Sequence, residues 1–302
     1  MSRRLVLSPR LALAIGIAAV SSGSIFIRFA QSDAPCLSIA AFRLSLAVLF
    51  LLPLAFGRHY RDIRGIAGRE WLWLLASGFF LAVHFATWIS SLAYTSVASS
   101  VALVSTSPLW VAIIAWIAWR EPVTPSIWLG LTLALCGTIV ISLAEARTAI
   151  SARPFLGNAL ALAGALAVSG YWLIGRRLRR SLSLIPYVTL VYGAAALFLI
   201  AAAMLVGQPL GGFKATTYGW FLLLALLPQL LGHSSFNWVL GHLPASYVAI
   251  ATLGEPIGAA FLALLFLGEV PSLLKVAAAA LILLGILLAL RREPVAGGKP
   301  GE

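Results

Sequence analysis

Apolar residues run along this chain in blocks of about twenty, the length that carries an α-helix across a ~30 Å hydrocarbon core. Short polar connections bearing Gly, Pro and Arg separate them. The roughly ten-residue apolar/polar alternation of an outer-membrane barrel is absent. The pattern predicts ten spans, at 11–31, 36–56, 71–93, 96–118, 125–144, 155–175, 184–206, 219–241, 246–267 and 271–290. The longest connection runs from Gly57 to Glu70 and leaves no room for a soluble domain. The tail from Arg291, with Gly297, Gly298 and Pro300, reads as disordered.

Composition agrees with that pattern. Of 302 residues, 61% are hydrophobic and 10% charged, against roughly 25% charged in soluble domains. Ala, Leu and Gly dominate the blocks and suit closely packed membrane helices. The net charge of +12 could suggest a nucleic-acid partner, but the charges lie in short connections, where they set topology. No nucleic acid is expected. Cys36 and Cys136 show neither a pairing nor a metal spacing and read as small packing residues.

Charge bias between connections orients the chain. One side carries fifteen Lys/Arg: Arg3, Arg4, Arg10, Arg58, Arg61, Arg64, Arg69, Arg120, Arg176, Arg177, Arg179, Arg180, Arg291, Arg292 and Lys299. The other carries four, Arg147, Arg153, Lys214 and Lys275. Both termini are thus expected in the cytoplasm of a multi-pass inner (plasma) membrane protein, which requires an even span count. Arg3-Arg4 before an apolar run resembles a twin-arginine export signal. The competing explanation is that the pair holds the first helix start inside. The first span's part in an internal repeat favours the second.

That repeat emerges at an offset of 148 residues. Gly16 meets Gly164, Ala19 Ala167, Val20 Val168, Ser21 Ser169 and Arg28 Arg176. Pro108 meets Pro256, Glu121 Glu269 and Gly137 Gly285 at the same offset. Residues 1–147 and 148–302 then form two five-helix repeats. Five is odd, so the second enters the membrane inverted. Inverted repeats recur in secondary transporters, where the halves enclose a site near the midplane. The expected fold is an all-α membrane protein of ten transmembrane helices, two inverted five-helix repeats around a central cavity.

The segments SSVALVSTSPLWVAIIAWIAWREPVTPSIWLGLTLALCGTIVI and YVAIATLGEPIGAAFLALLFLGEVPSLLKVAAAALILLGILL carry this symmetry. With AAFRLSLAVL around Arg43, they resemble the EamA-type family of the drug/metabolite transporter superfamily. The resemblance covers nearly the whole chain. It implies a ten-helix basket with a central cavity and, typically, export of amino acids or other small metabolites. It does not identify the substrate.

Several intramembrane residues suit transport. Pro108 and Pro256 lie mid-span, free the carbonyls of Val104 and Thr252, and are hinge candidates or packing kinks. Glu255 precedes Pro256 deep in the ninth span, as a proton-coupling group or a partner for Arg43. Arg43, about seven residues into the second span, can bind a substrate carboxylate, counter Glu255 or snorkel to the interface. His84 and Trp88 share a helix face at i, i+4, as do His233 and Asn237, with Trp238 adjacent. These five are substrate-binding candidates with Arg43; packing is the plainer alternative for each histidine. Glu121 and Glu269 read as turn residues, and Trp71, Trp73, Trp116, Trp119 and Trp128 as interfacial anchors.

No G-x-S-x-G, H-E-x-x-H or paired intramembrane aspartate is present. The expectation is a secondary transporter without catalytic residues, metal or cofactor, acting on a small molecule with the bilayer as its solvent and protons as a coupling-ion candidate. A passive uniporter or channel stays open, with an intramembrane enzyme behind it. A homodimer is left open too.

Overall fold

The computed structural model describes residues 8–120, 125–146, 153–242, 248, 252 and 254–290. Arg3, Arg4, Glu121, Arg147 and the tail from Arg291 lie outside the described residues. Among those described, the regular structure is entirely helical. In chain order the elements are α1 Pro9–Ser21, α2 Gly23–Ala30, α3 Cys36–Arg58, α4 Tyr60–Arg64, α5 Gly68–Ser91, α6 Val97–Val104 and α7 Ser107–Trp119. They continue as α8 Pro125–Ala146, α9 Pro154–Leu178, α10 Leu184–Leu205 and α11 Ala215–Leu224, then a π-helical segment Ala225–His233. The last are α12 Ser234–Leu240, α13 Glu255–Leu267 and α14 Leu273–Leu290.

Seven stretches of the described chain are long and apolar enough to cross a membrane: Pro9–Ala30, Cys36–Arg58, Gly68–Ser91, Val97–Ala118, Pro154–Leu178, Leu184–Leu205 and Ala215–Leu240. Glu255–Leu267 and Leu273–Gly285 are apolar but shorter. The chain is therefore a multi-pass membrane protein. Its outer surface carries Leu49, Phe50, Leu72, Phe79, Leu197 and Phe261 exposed, which hydrocarbon accepts and water would not.

Local chemistry sets where helices begin. The Ser8 hydroxyl accepts from Leu11 N at 3.2 Å, with Pro9 in the first turn of α1. Ser96 caps α6 in the same way through Ser99 N, 3.3 Å. Three spans depart from the uninterrupted helices that hydropathy suggests. The first turns at Ser22 between α1 and α2. The fourth breaks at Ser105–Thr106, so Pro108 opens α7 instead of kinking a continuous helix. The eighth passes through a π segment containing Pro228. Proline supplies no N–H to an i→i−4 ladder, and a wider turn is one way to absorb that loss. Pro256 likewise lies in the first turn of α13, directly after Glu255.

The packing pairs helices far apart in sequence. α8 packs on α14, α5 on α9, and α10 on both α3 and α5. α1 meets the π segment, α12 and α13, while α9 meets α6 and α7. At the α8–α14 contact a Cβ on Gly137 would stand 2.8 Å from the Ala278 carbonyl oxygen and 2.6 Å from Ile282 Cγ1.

Two sets of connections gather at opposite ends. At one end Asp33 Oδ2 accepts from Lys214 N at 2.9 Å and from Thr217 Oγ1 at 2.7 Å. There too Arg28 Nη2 meets Glu269 Oε1 at 3.0 Å and Thr95 O at 3.2 Å, and Glu269 Oε2 accepts from Val97 N. At the other end the Ser181 and Ser183 hydroxyls donate to Glu70 and Asp62. That end carries the arginine-rich connections 58–69 and 176–180.

Two outcomes follow. Gly137→Val must push the Ala278 backbone away, and overpacking of this kind costs about 1–3 kcal/mol; thermal unfolding in detergent should show a lowered midpoint. Gly193→Ala, whose Cβ meets nothing within 4 Å, should not lower it. The Lys214 amide, then the Thr217 hydroxyl, hold the Asp33 carboxyl below its usual value. Its contribution is therefore complete above the ordinary carboxylate range and is lost as pH falls through the lowered folded value. Asp33→Asn should flatten the acid limb of the unfolding midpoint plotted against pH.

Candidate functional site

A cavity with about 500 Å³ of space, its mouth included, lies among the helices. The first half of the chain contributes Val20 of α1, Arg43 of α3, His84 and Trp88 of α5, and Val104, Ser105 and Ser107 at the α6–α7 break. The second contributes Val168 and Trp172 of α9, Pro228 and His233 of the π segment, Phe236 of α12, Thr252, and Glu255 at the start of α13. Apolar walls with a few converging polar groups are the usual form of a small-molecule site.

Arg43 is fully buried. Its Nε donates to Gln229 Oε1 at 2.8 Å, and its guanidinium carbon lies 4.2 Å from the centre of the Phe85 ring and 5.9 Å from that of Trp88. Nη1 and Nη2 are buried and have no hydrogen-bond partner among the described residues. Glu255 lines the same cavity but forms neither a hydrogen bond nor an ion pair with Arg43 or any other described residue. Of the three roles open to Arg43 in sequence, snorkelling fails on depth, because no part of the side chain reaches the surface.

His84 and Trp88 stack at 5.8 Å with an interplanar angle of 10°. A carbonyl only accepts, so His84 Nδ1, 2.9 Å from Gly164 O, carries the proton in that contact. His233 comes to 6.5 Å from His84 and 5.4 Å from Phe85, ring centre to ring centre. The two histidines read separately in the third and eighth spans thus meet at one site. No group of three or more His, Cys, Asp or Glu able to hold a metal occurs among the described residues.

Asn237 and Trp238 stand apart from the lining. Asn237 Nδ2 donates to His233 O at 2.8 Å and approaches the Tyr171 and Tyr192 hydroxyls at 2.7 and 3.3 Å, a closed buried network. Trp238 lies against His242, ring centres 4.1 Å apart and planes tilted by 36°. Pro108 and Pro256 each follow a lining residue, Ser107 and Glu255, in the first turn of α7 and α13. Sequence inspection did not single out Gln229, Ser105, Trp172 or Phe236. Pro228 inside an apolar block was the one available signal for the π segment that presents Gln229.

A multi-pass membrane protein, helical throughout its described residues, with an aromatic, largely apolar cavity that holds a few polar groups, fits the class of membrane transport proteins. The EamA-like transporter family model matches twice, at residues 9–143 and 155–291, and the chain belongs to that family. It is 25% identical over 236 residues to an uncharacterized transporter of Synechocystis sp., covering 74% of this chain and 70% of that protein. It is 24% identical over 241 residues to the uncharacterized transporter YdfC of Bacillus subtilis, covering 78% and 76%. One crystal structure superposes with a TM-score of 0.65 over 93% of this chain and 97% of its own, at 17% identity, which shows a shared fold.

The closed network separates support from binding. Asn237→Leu takes from the Tyr171 hydroxyl its 2.7 Å amide partner, and loss of a buried hydrogen-bond partner costs about 1–3 kcal/mol. It should lower the thermal midpoint in detergent, whereas Trp238→Phe, which keeps a ring against His242, should leave it nearly unchanged.

Proposed function

We propose that this protein is a secondary transporter working by alternating access, with ten spans in two inverted repeats around the cavity. The carrying observation is the composition of the cavity wall. Val20 and Val168, Trp88 and Phe236, Val104 and Thr252, and Ser107 and Glu255 are each 148 positions apart, and all eight line it. The offset read from sequence therefore pairs residues on one surface, as a two-fold axis through the cavity requires. Packing supports the same axis. A Cβ on Gly16 would meet the Phe236 ring at 2.7 Å, and one on Gly164 would meet Trp88 Cβ at 3.3 Å. Those two contacts exchange under the 148-residue shift.

In this reading the axis lies in the membrane plane, and rocking one half on the other opens the cavity to each side in turn. Ser107 and Glu255 mark where the two broken helices start, and these breaks act as hinges beside Pro108 and Pro256. The arginine-rich connections at one end support a cytoplasmic position for both termini. The cargo is a small metabolite moved outwards, amino acids included. Glu255, without an ion-pair partner in the cavity, is the proton-coupling group.

The test is flux in proteoliposomes across amino acids and other small metabolites, with and without a pH gradient. The expected result is gradient-stimulated flux in the wild type and gradient-insensitive flux in Glu255→Gln. Flux indifferent to both gradient and substitution would remove the coupling role and favour a passive uniporter. No flux of any small molecule would sink the transporter reading.

A further inference from the structure

We propose that the Arg43 end of the cavity is a carboxylate-binding subsite, engaged through Arg43 Nη1, Arg43 Nη2 and Trp88 Nε1, so that the cargo is a monocarboxylate. This rests on the cavity being the substrate site. All three nitrogens are buried and lack a hydrogen-bond partner among the described residues, and both side chains line the cavity. Arg43 is 0% and Trp88 4% exposed, and the guanidinium lies 5.9 Å from the Trp88 ring.

Unmade hydrogen bonds at a buried cation are expensive, and removing a cation from water costs several kcal/mol more unless something answers its charge. Here nothing in the described chain answers it at bonding distance. Intramembrane charges kept under such conditions mark ligand pathways.

The remaining contacts of Arg43 define which edge is free. Gln229 Oε1 takes Nε, and the Phe85 ring covers one face. That leaves the Nη1/Nη2 edge, two parallel donors spaced to match the two oxygens of a carboxylate. The Trp88 indole N–H supplies a third donor. Gln229 is the positioning residue, and it reaches Arg43 from the π segment.

Glu255 limits the ligand's overall charge. It lines the same cavity without pairing with Arg43. A second negative group on the cargo would face like charge there, whereas an amine would find a complement. A carboxylate is therefore required, a second is disfavoured, and an adjacent amine is accommodated.

The experiment is ligand-induced thermal stabilisation of the purified full chain in detergent. The probes are the standard amino acids, the amine left by decarboxylating each, the carboxylic acid left by deaminating each, and inorganic phosphate. At least one carboxylate should stabilise, its decarboxylated amine should not, and phosphate should be weaker. Apparent affinity for that carboxylate should fall roughly tenfold or more in Arg43→Lys, which keeps charge but loses the fork. Trp88→Phe keeps an aromatic side chain but removes the indole N–H and part of the ring's bulk, so it should weaken the same probe several-fold even if Arg43→Lys fails to fold. Stabilisation by none of the carboxylates, equal stabilisation by the amines, a preference for phosphate, or unchanged affinity in the variants would overturn the subsite. Flux of the same probes separates the two proposals. Transport indifferent to Arg43 and Trp88 leaves the transporter and removes the subsite, while Arg43-dependent binding without flux does the reverse.

Discussion

A guanidinium buried among membrane helices is the constraint around which this protein is arranged. Arg43 cannot shed its proton at any ordinary pH, so its surroundings must tolerate a permanent charge. Two aromatic rings, one amide oxygen and a carboxylate further off supply that tolerance. Both rings come from α5, the amide from the π segment and the carboxylate from the start of α13, which ties these elements and α3 to a single point. The packing of α10 on α3 and α5 closes the arrangement from behind.

The polar groups divide by whether their bonds are complete. Asn237, Tyr171 and Tyr192 satisfy one another and the backbone, and they stiffen the wall. His84 is tied to the Gly164 carbonyl, joining α5 to α9 across the two halves. Arg43 and Trp88 keep donors without a partner among the described residues, and they line the same cavity as Glu255. A wall made of finished networks with a few unfinished groups set in it is stable and still able to exchange partners.

Much of this was legible in the sequence. Block length pointed to the membrane class, and the constant offset pairs Val20 with Val168 and Ser107 with Glu255, all four of which line the cavity. The i, i+4 spacing of His84 and Trp88 put both on the inward face of one helix. The same logic failed for Asn237, because the π turn across Ala225–His233 changes which residues face inwards beyond it. Periodicity assumes 3.6 residues per turn, and it carries no warning when a span departs from that number. Gln229 was invisible for a related reason: an amide beside a proline in an apolar block has no partner until α3 is packed against it. The breaks before Pro108 and Pro256 were sensed as kinks, since proline chemistry is local, but their form as new helix starts depends on the serine-rich turn at Ser105–Thr106 and on Gly254.

The link between Arg28 and Glu269 has a bearing on how the molecule is made. The two residues are 241 positions apart. A ribosome working at ~5–20 residues per second needs on the order of 12–50 s to deliver the second after the first. Through that interval the Thr95 carbonyl, 67 positions on from Arg28, is the partner of this contact that the arginine can already meet. Closure of this contact is thus among the last events of biogenesis, and a nascent chain stalled before its final turn would expose that cation to the membrane's quality-control proteases.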